Sequence, residues 1–156
     1  MRSDQAATKT FVRMCDSAVT PTRSTATSPG TTPTRVVIGP TTFFDVPPSD
    51  RYPRDSSVHS YKVLLKITGY HPVTISVPAA ERATVALFYD PATFTNGFAQ
   101  RPLSAGERSV TFQPCMNRTE TYFNGGLQAP DNECVTLHIA AGSSTWTGRL
   151  PIGSTC

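Results

Sequence analysis

The segment Cys134-Val135-Thr136-Leu137-His138-Ile139-Ala140 alternates apolar and polar side chains without a break. A two-residue period places Val135, Leu137 and Ile139 on one face of a strand and Thr136 and His138 on the other, and it does not fit a helix of about 3.6 residues per turn. The period returns in residues 61–68, where Tyr61, Val63, Leu65 and Ile67 share a face opposite Lys62, Lys66 and Thr68, and again in residues 73–77. In residues 84–89, Val85, Leu87 and Tyr89 alternate with Thr84, Ala86 and Phe88, so both faces are nearly all apolar, as in a central strand. Residues 109–112 and 145–150 add further short strands. Composition agrees: Thr occurs 23 times, Pro 14 and Lys only 3, which suits strands and turns and supplies no helix-forming run. The expected fold is all-β, an Ig-like sandwich of about eight short antiparallel strands.

Glycine and proline divide the strands. Residues 35–38 form a strand stopped by Gly39-Pro40, and residues 41–44 continue it beyond a kink. The short connection 69–72 closes a hairpin between residues 61–68 and 73–77. Asn124-Gly125-Gly126 is a tight turn, and residues 90–106 make a long loop with Asp90-Pro91 and Asn96-Gly97 turn signals. Residues 1–33 read differently. The run from Thr20 to Pro33 is rich in Thr, Ser and Pro with almost nothing to bury, so it cannot offset its ordering entropy. It is expected to be a disordered tail or stalk (1–33) ahead of a folded domain (34–156).

Charge and apolar patterning exclude several classes. The net charge is +3, and the closest basic pairs, Arg51/Arg54 and Arg101/Arg108, sit beside Asp50, Asp55 and Glu107. That arrangement lacks the clustered basic face that phosphate backbones require, so no nucleic-acid partner is expected. No segment approaches the ~20 apolar residues of a membrane-spanning helix.

Four cysteines remain: Cys15, Cys115, Cys134 and Cys156. They form no C-x-x-C pair; His138 follows Cys134 by four residues, but His59 and His71 lie far in sequence from every cysteine, so a four-ligand set with paired spacing is missing, which argues against zinc. An even count in a β-rich, lysine-poor chain points to disulfides and an oxidising compartment; four reduced, buried thiols are the alternative. Three connectivities are open, and the expected one pairs Cys115 with Cys134, closing a loop that contains the Gly-Gly turn, with Cys15 and Cys156 then tying the ends together. The location implied is extracytoplasmic, secreted or surface-tethered, although residues 1–14 contain no apolar signal core.

The motifs Val37-Ile38-Gly39-Pro40-Thr41-Thr42-Phe43, Val110-Thr111-Phe112-Gln113-Pro114-Cys115, Phe123-Asn124-Gly125-Gly126 and Cys134-Val135-Thr136-Leu137 resemble a family of uncharacterised actinobacterial exported proteins. The resemblance covers residues 35–156. It implies a shared fold and no assigned activity.

No nucleophile elbow, Walker loop or dinucleotide fingerprint occurs, and no catalytic residue, metal site or cofactor is assigned. Asp90, at the end of a central strand, is the best-placed carboxylate, with turn capping as its plainer role. Glu120 and Glu133 flank the Gly-Gly turn and would meet if it closed a hairpin. Phe94 and Phe98, around Asn96, are candidate binding-surface residues on the long loop. Trp146, the only tryptophan, is the fourth candidate, although its phase in the strand also suits the core. These readings favour an extracytoplasmic sandwich module with a binding or structural role, its partner a cell-surface protein or a glycan. A small hydrolase or carbohydrate-active enzyme using a carboxylate site is the alternative.

Overall fold

The alternating segments become strands, but their pairing departs from the simplest reading. The computed structural model describes residues 5–21, 34–46, 58–94, 98–131, 133–153 and 156. Among these residues lie twelve strands and four 3-10 turns, with no α-helix. The strands are β1 (Lys9–Arg13), β2 (Thr34–Ile38), β3 (Thr41–Val46), β4 (Val58–Lys62), β5 (Leu64–Thr68) and β6 (Val73–Ser76). They continue with β7 (Ala86–Phe88), β8 (Glu107–Phe112), β9 (Glu120–Phe123), β10 (Gly126–Pro130), β11 (Glu133–Ala141) and β12 (Ser144–Ile152).

One sheet has eight strands in the order β12-β11-β6-β8-β7-β10-β4, with β1 added to β8; the other has four in the order β2-β3-β5-β9. All pairings are antiparallel except β1 with β8. A single core lies between the sheets, with Phe43, Leu65, Ile67 and Phe123 from one and Ile75, Val110, Phe112, Leu137 and Leu150 from the other. The protein is therefore an all-β sandwich, and residues 84–89 contain the central strand their apolar faces demanded, with β7 between β8 and β10.

Four expectations are corrected. Residues 61–68 are one run of alternation but two strands. At Val63 the chain leaves the larger sheet, where β4 pairs β10, and enters the smaller, where β5 pairs β3 and β9. Asn124-Gly125-Gly126 is likewise no hairpin turn, because β9 and β10 lie in different sheets and the chain crosses there. The two crossings touch, with Val63 N–H donating to the Gly125 carbonyl at 3.0 Å. The 69–72 connection is an arch between sheets, since β5 and β6 do not pair. Gly39-Pro40 is the turn of a true hairpin, with Ile38 opposite Thr41, and Gly39 adopts φ of 55° there.

The N-terminal expectation also changes. Residues 9–13 are no tail: they form β1, in parallel register with residues 107–112 of β8. Val19 bridges to Tyr122, and Ala7 is buried beside Phe88 and Phe98. Residues 1–4 and 22–33 of the expected stalk lie outside the described residues.

All four cysteines are bonded, in a connectivity other than the expected one. Cys15 pairs Cys115 and Cys134 pairs Cys156. The reason is strand pairing. β1 runs parallel to β8 and delivers Cys15 beside Cys115, just beyond the end of β8, while Cys134 stands opposite Pro151 on β12, close to the C-terminal Cys156.

Candidate functional site

Arg13 ends β1 and is 2% exposed. It donates to the Tyr89 carbonyl at 3.1 Å, to the Ser17 carbonyl and Oγ at 3.0 Å each, and to the carbonyl and Oδ1 of Asn124. Its guanidinium also stands 5.1 Å from the Phe123 ring centroid. A buried charge is tolerable when its donors are so thoroughly used. Beside it, Asp90 is paired with Lys9 and accepts from Ala92 N–H at 2.9 Å. Burial opposes ionisation of Asp90, but the Lys9 ammonium, the Ala92 N–H and the Arg13 charge outweigh it and hold the carboxyl below its ordinary range. Glu107 is fully buried and accepts from the backbone N–H groups of Tyr89 and Asp90 at 2.7 and 2.9 Å. Burial pushes the Glu107 carboxyl up despite those bonds. This cluster fastens β1, β7 and β8 together. Asp90 thus has the turn-capping role, reinforced by an ion pair, and the sequence reading missed Glu107 because its value lies in backbone groups that only the fold brings near.

Glu120 and Glu133 do not form a pair. Glu120 lies on β9 and engages Lys66 at 3.4 Å, while Glu133 opens β11 in the other sheet opposite Ile152. His138 is exposed on the polar face as its phase required, 3.0 Å from Thr147 Oγ1.

The loop aromatics are corrected too. Phe98 is 4% exposed and packs with Ala7, Ala86, Phe88 and Leu103 in a second apolar cluster, with Phe94 against it at a ring-centroid distance of 5.1 Å. Two aromatic rings gain more by folding back on the loop's base than by facing water. They are anchors, and Asn96 lies outside the described residues.

Trp146 behaves differently. It stands opposite Ile139 and packs against the core, yet it is only half-buried because it also lines a surface cleft. The backbone of Gly39 lies flat against the indole, so closely that a Cβ there would sit 2.4 Å from the ring. Trp146 both plugs the core and walls a cleft of about 410 Å³. The cleft gathers three turns: Pro40 from β2–β3, Thr68 and His71 from the β5–β6 arch, and Ser143 and Ser144 from the β11–β12 hairpin. An aromatic plane with hydroxyls and one exposed imidazole can stack on the apolar face of a ligand while bonding its polar edge. Sequence reasoning named Trp146, but its neighbours come from separate turns that no local pattern joins.

A second cleft of about 340 Å³ lies along β4, between Val58–Tyr61, Gln128 and residues 99–103. Among the described residues, no group of three or more His, Cys, Asp and Glu is placed to hold a metal ion, and no helix is long and apolar enough to cross a membrane.

No family model matches the chain, and no curated protein matches it. Among solved structures it is similar to the apo PmoF2 PCuAC domain at 10% identity and a TM-score of 0.44, over 76% of this chain and 94% of that one. The fold and covalent structure define an all-β sandwich module held by two disulfides, a form suited to oxidising, extracytoplasmic surroundings.

Proposed function

We propose that the chain is an extracytoplasmic binding module of the actinobacterial exported type it resembles, and that it seats a hydroxyl-rich ligand, a glycan, in the Trp146 cleft. The observation that supports this reading is the half-buried tryptophan in a cleft it shares with Thr68, His71, Ser143 and Ser144. Glycans offer alternating C–H faces and hydroxyl edges, which match an indole bordered by short polar side chains. The hydrolase alternative draws less support, because Asp90, Glu120 and Glu133 line neither cleft.

Trp146 is the only tryptophan, so its emission reports on the cleft alone. Titration with neutral oligosaccharides should shift or quench that emission saturably. His71→Ala, at an exposed position, should weaken binding several-fold without altering unfolding. Unchanged emission across a glycan panel at millimolar concentration would overturn the reading.

A further inference from the structure

The cleft along β4 is built differently from the Trp146 cleft. Its floor is Tyr61 and Leu103, each 3% exposed. Its outer wall, residues 98–103, is fixed in place: Gln128 Nε2 donates to the carbonyls of Phe98 at 3.3 Å and Arg101 at 2.9 Å, while Phe98 and Leu103 are sunk in the second apolar cluster. A wall held this way is preorganised, and a ligand entering it incurs little further ordering cost.

Two polar features border this rigid pocket. Arg101 is exposed on the fixed wall, and its guanidinium makes one long contact, 3.4 Å to the Ala92 carbonyl; among the described residues no carboxylate pairs with it. On the opposite wall, His59 Nε2 lies 3.3 Å from Asp131 Oδ2. The Asp131 side chain is 2% exposed, and neither of its oxygens has a hydrogen-bond partner among the described residues. A buried carboxylate with no hydrogen-bond partner, only the nearby imidazole, costs stability.

We propose that this pocket is a second binding site, independent of the Trp146 cleft, for a small monocarboxylate such as a sugar acid. Arg101 takes the carboxylate in its planar fork, and His59, 3.3 Å from Asp131, forms the facing wall. One unpaired cation suits one negative charge.

The test is amide NMR titration of the intact, disulfide-bonded chain with glucuronate, using glucose and inorganic phosphate as comparisons. Glucuronate should produce saturable shifts at Ser60, Ala99, Arg101 and Gln128 and leave the 141–146 hairpin unmoved. Arg101→Gln should raise Kd about tenfold, and Arg101→Lys should fall between, since it keeps the charge and loses the fork. Both changes are at an exposed site, and the unperturbed remainder of the spectrum verifies folding. Equal responses to glucose or phosphate, an unchanged Kd in Arg101→Gln, no saturable shifts, or shifts confined to the Trp146 hairpin would each overturn the proposal. Apart from shifts confined to the Trp146 hairpin, which would speak for the Trp146 cleft, these results leave neutral-glycan binding read through Trp146 emission untouched.

Discussion

Glu107 occupies the first position of β8 with no exposure, and its carboxyl replaces the strand partners that the backbone N–H groups of Tyr89 and Asp90 lack at the end of β7. Burial raises its pKa, so the native state holds the proton more tightly than the unfolded chain. The contribution to stability is then full below the unfolded pKa and is lost as pH rises through the folded one. Asp90 has the opposite sign: its folded pKa is lowered, so its contribution is present above the unfolded pKa and lost as pH falls through the folded one. Glu107→Gln keeps an acceptor oxygen for both N–H groups and removes the ionisation. The variant should therefore gain stability relative to the parent between pH 4 and pH 7, measured by urea unfolding at each pH. Asp90→Asn should do the reverse, losing most at neutral pH. If the two variants show parallel, flat differences across this range, neither carboxyl is linked to folding as argued.

At the scale of elements, the inward faces were legible and the partners were not. Tyr61, Val63, Leu65 and Ile67 are all 3% exposed or less, although the chain changes sheets at Val63. A crossing strand keeps its inward face turned to the same core, so the apolar alternation runs through it unbroken and carries no mark of the change. The crossing of residues 124–125 did leave a mark, read as a turn because glycines serve both purposes. Here they serve close approach. A Cβ on Gly125 would sit 2.1 Å from the Tyr89 ring, and one on Gly126 would sit 2.2 Å from the Tyr61 carbonyl oxygen. Tyr89 cannot yield easily, because its hydroxyl donates to the Val63 carbonyl at 2.8 Å and so clamps the other crossing strand. Gly125→Ala should cost about 3 kcal/mol in chemical unfolding. Gly142→Ala is the comparison: nothing lies within 4 Å of its Cβ, and only its φ of 59° resists substitution. It should cost about 1 kcal/mol. Equal costs at the two sites would mean that the crossing is not sterically tight.

At the scale of the whole molecule, β1 decides where the domain begins. Its sequence, Lys9-Thr10-Phe11-Val12-Arg13, hides its role because its most buried side chain is the arginine while Val12 is 52% exposed. A reading that equates burial with apolar residues passes over such a strand, and the acceptors that make it stable lie 76 to 111 residues away. Removing residues 1–33 would strip β8 of its parallel partner, leave the carbonyls of Tyr89 and Asn124 without their guanidinium, and open the Cys15–Cys115 bond. That bond spans 100 residues, and closing a loop of such length stabilises by about 4–5 kcal/mol in the chain-entropy view. Against a total stability of about 5–15 kcal/mol, loss of bond and strand together is severe. A chain starting at Thr34 should therefore fail to unfold cooperatively under oxidising and reducing conditions alike. The double variant Cys15→Ser/Cys115→Ser in the full chain isolates the bond, and it should still unfold cooperatively at lower denaturant concentration. If the truncated chain instead matched that double variant in midpoint and slope, the disulfide alone would couple residues 9–13 to the sandwich, and β1 would add nothing to the fold.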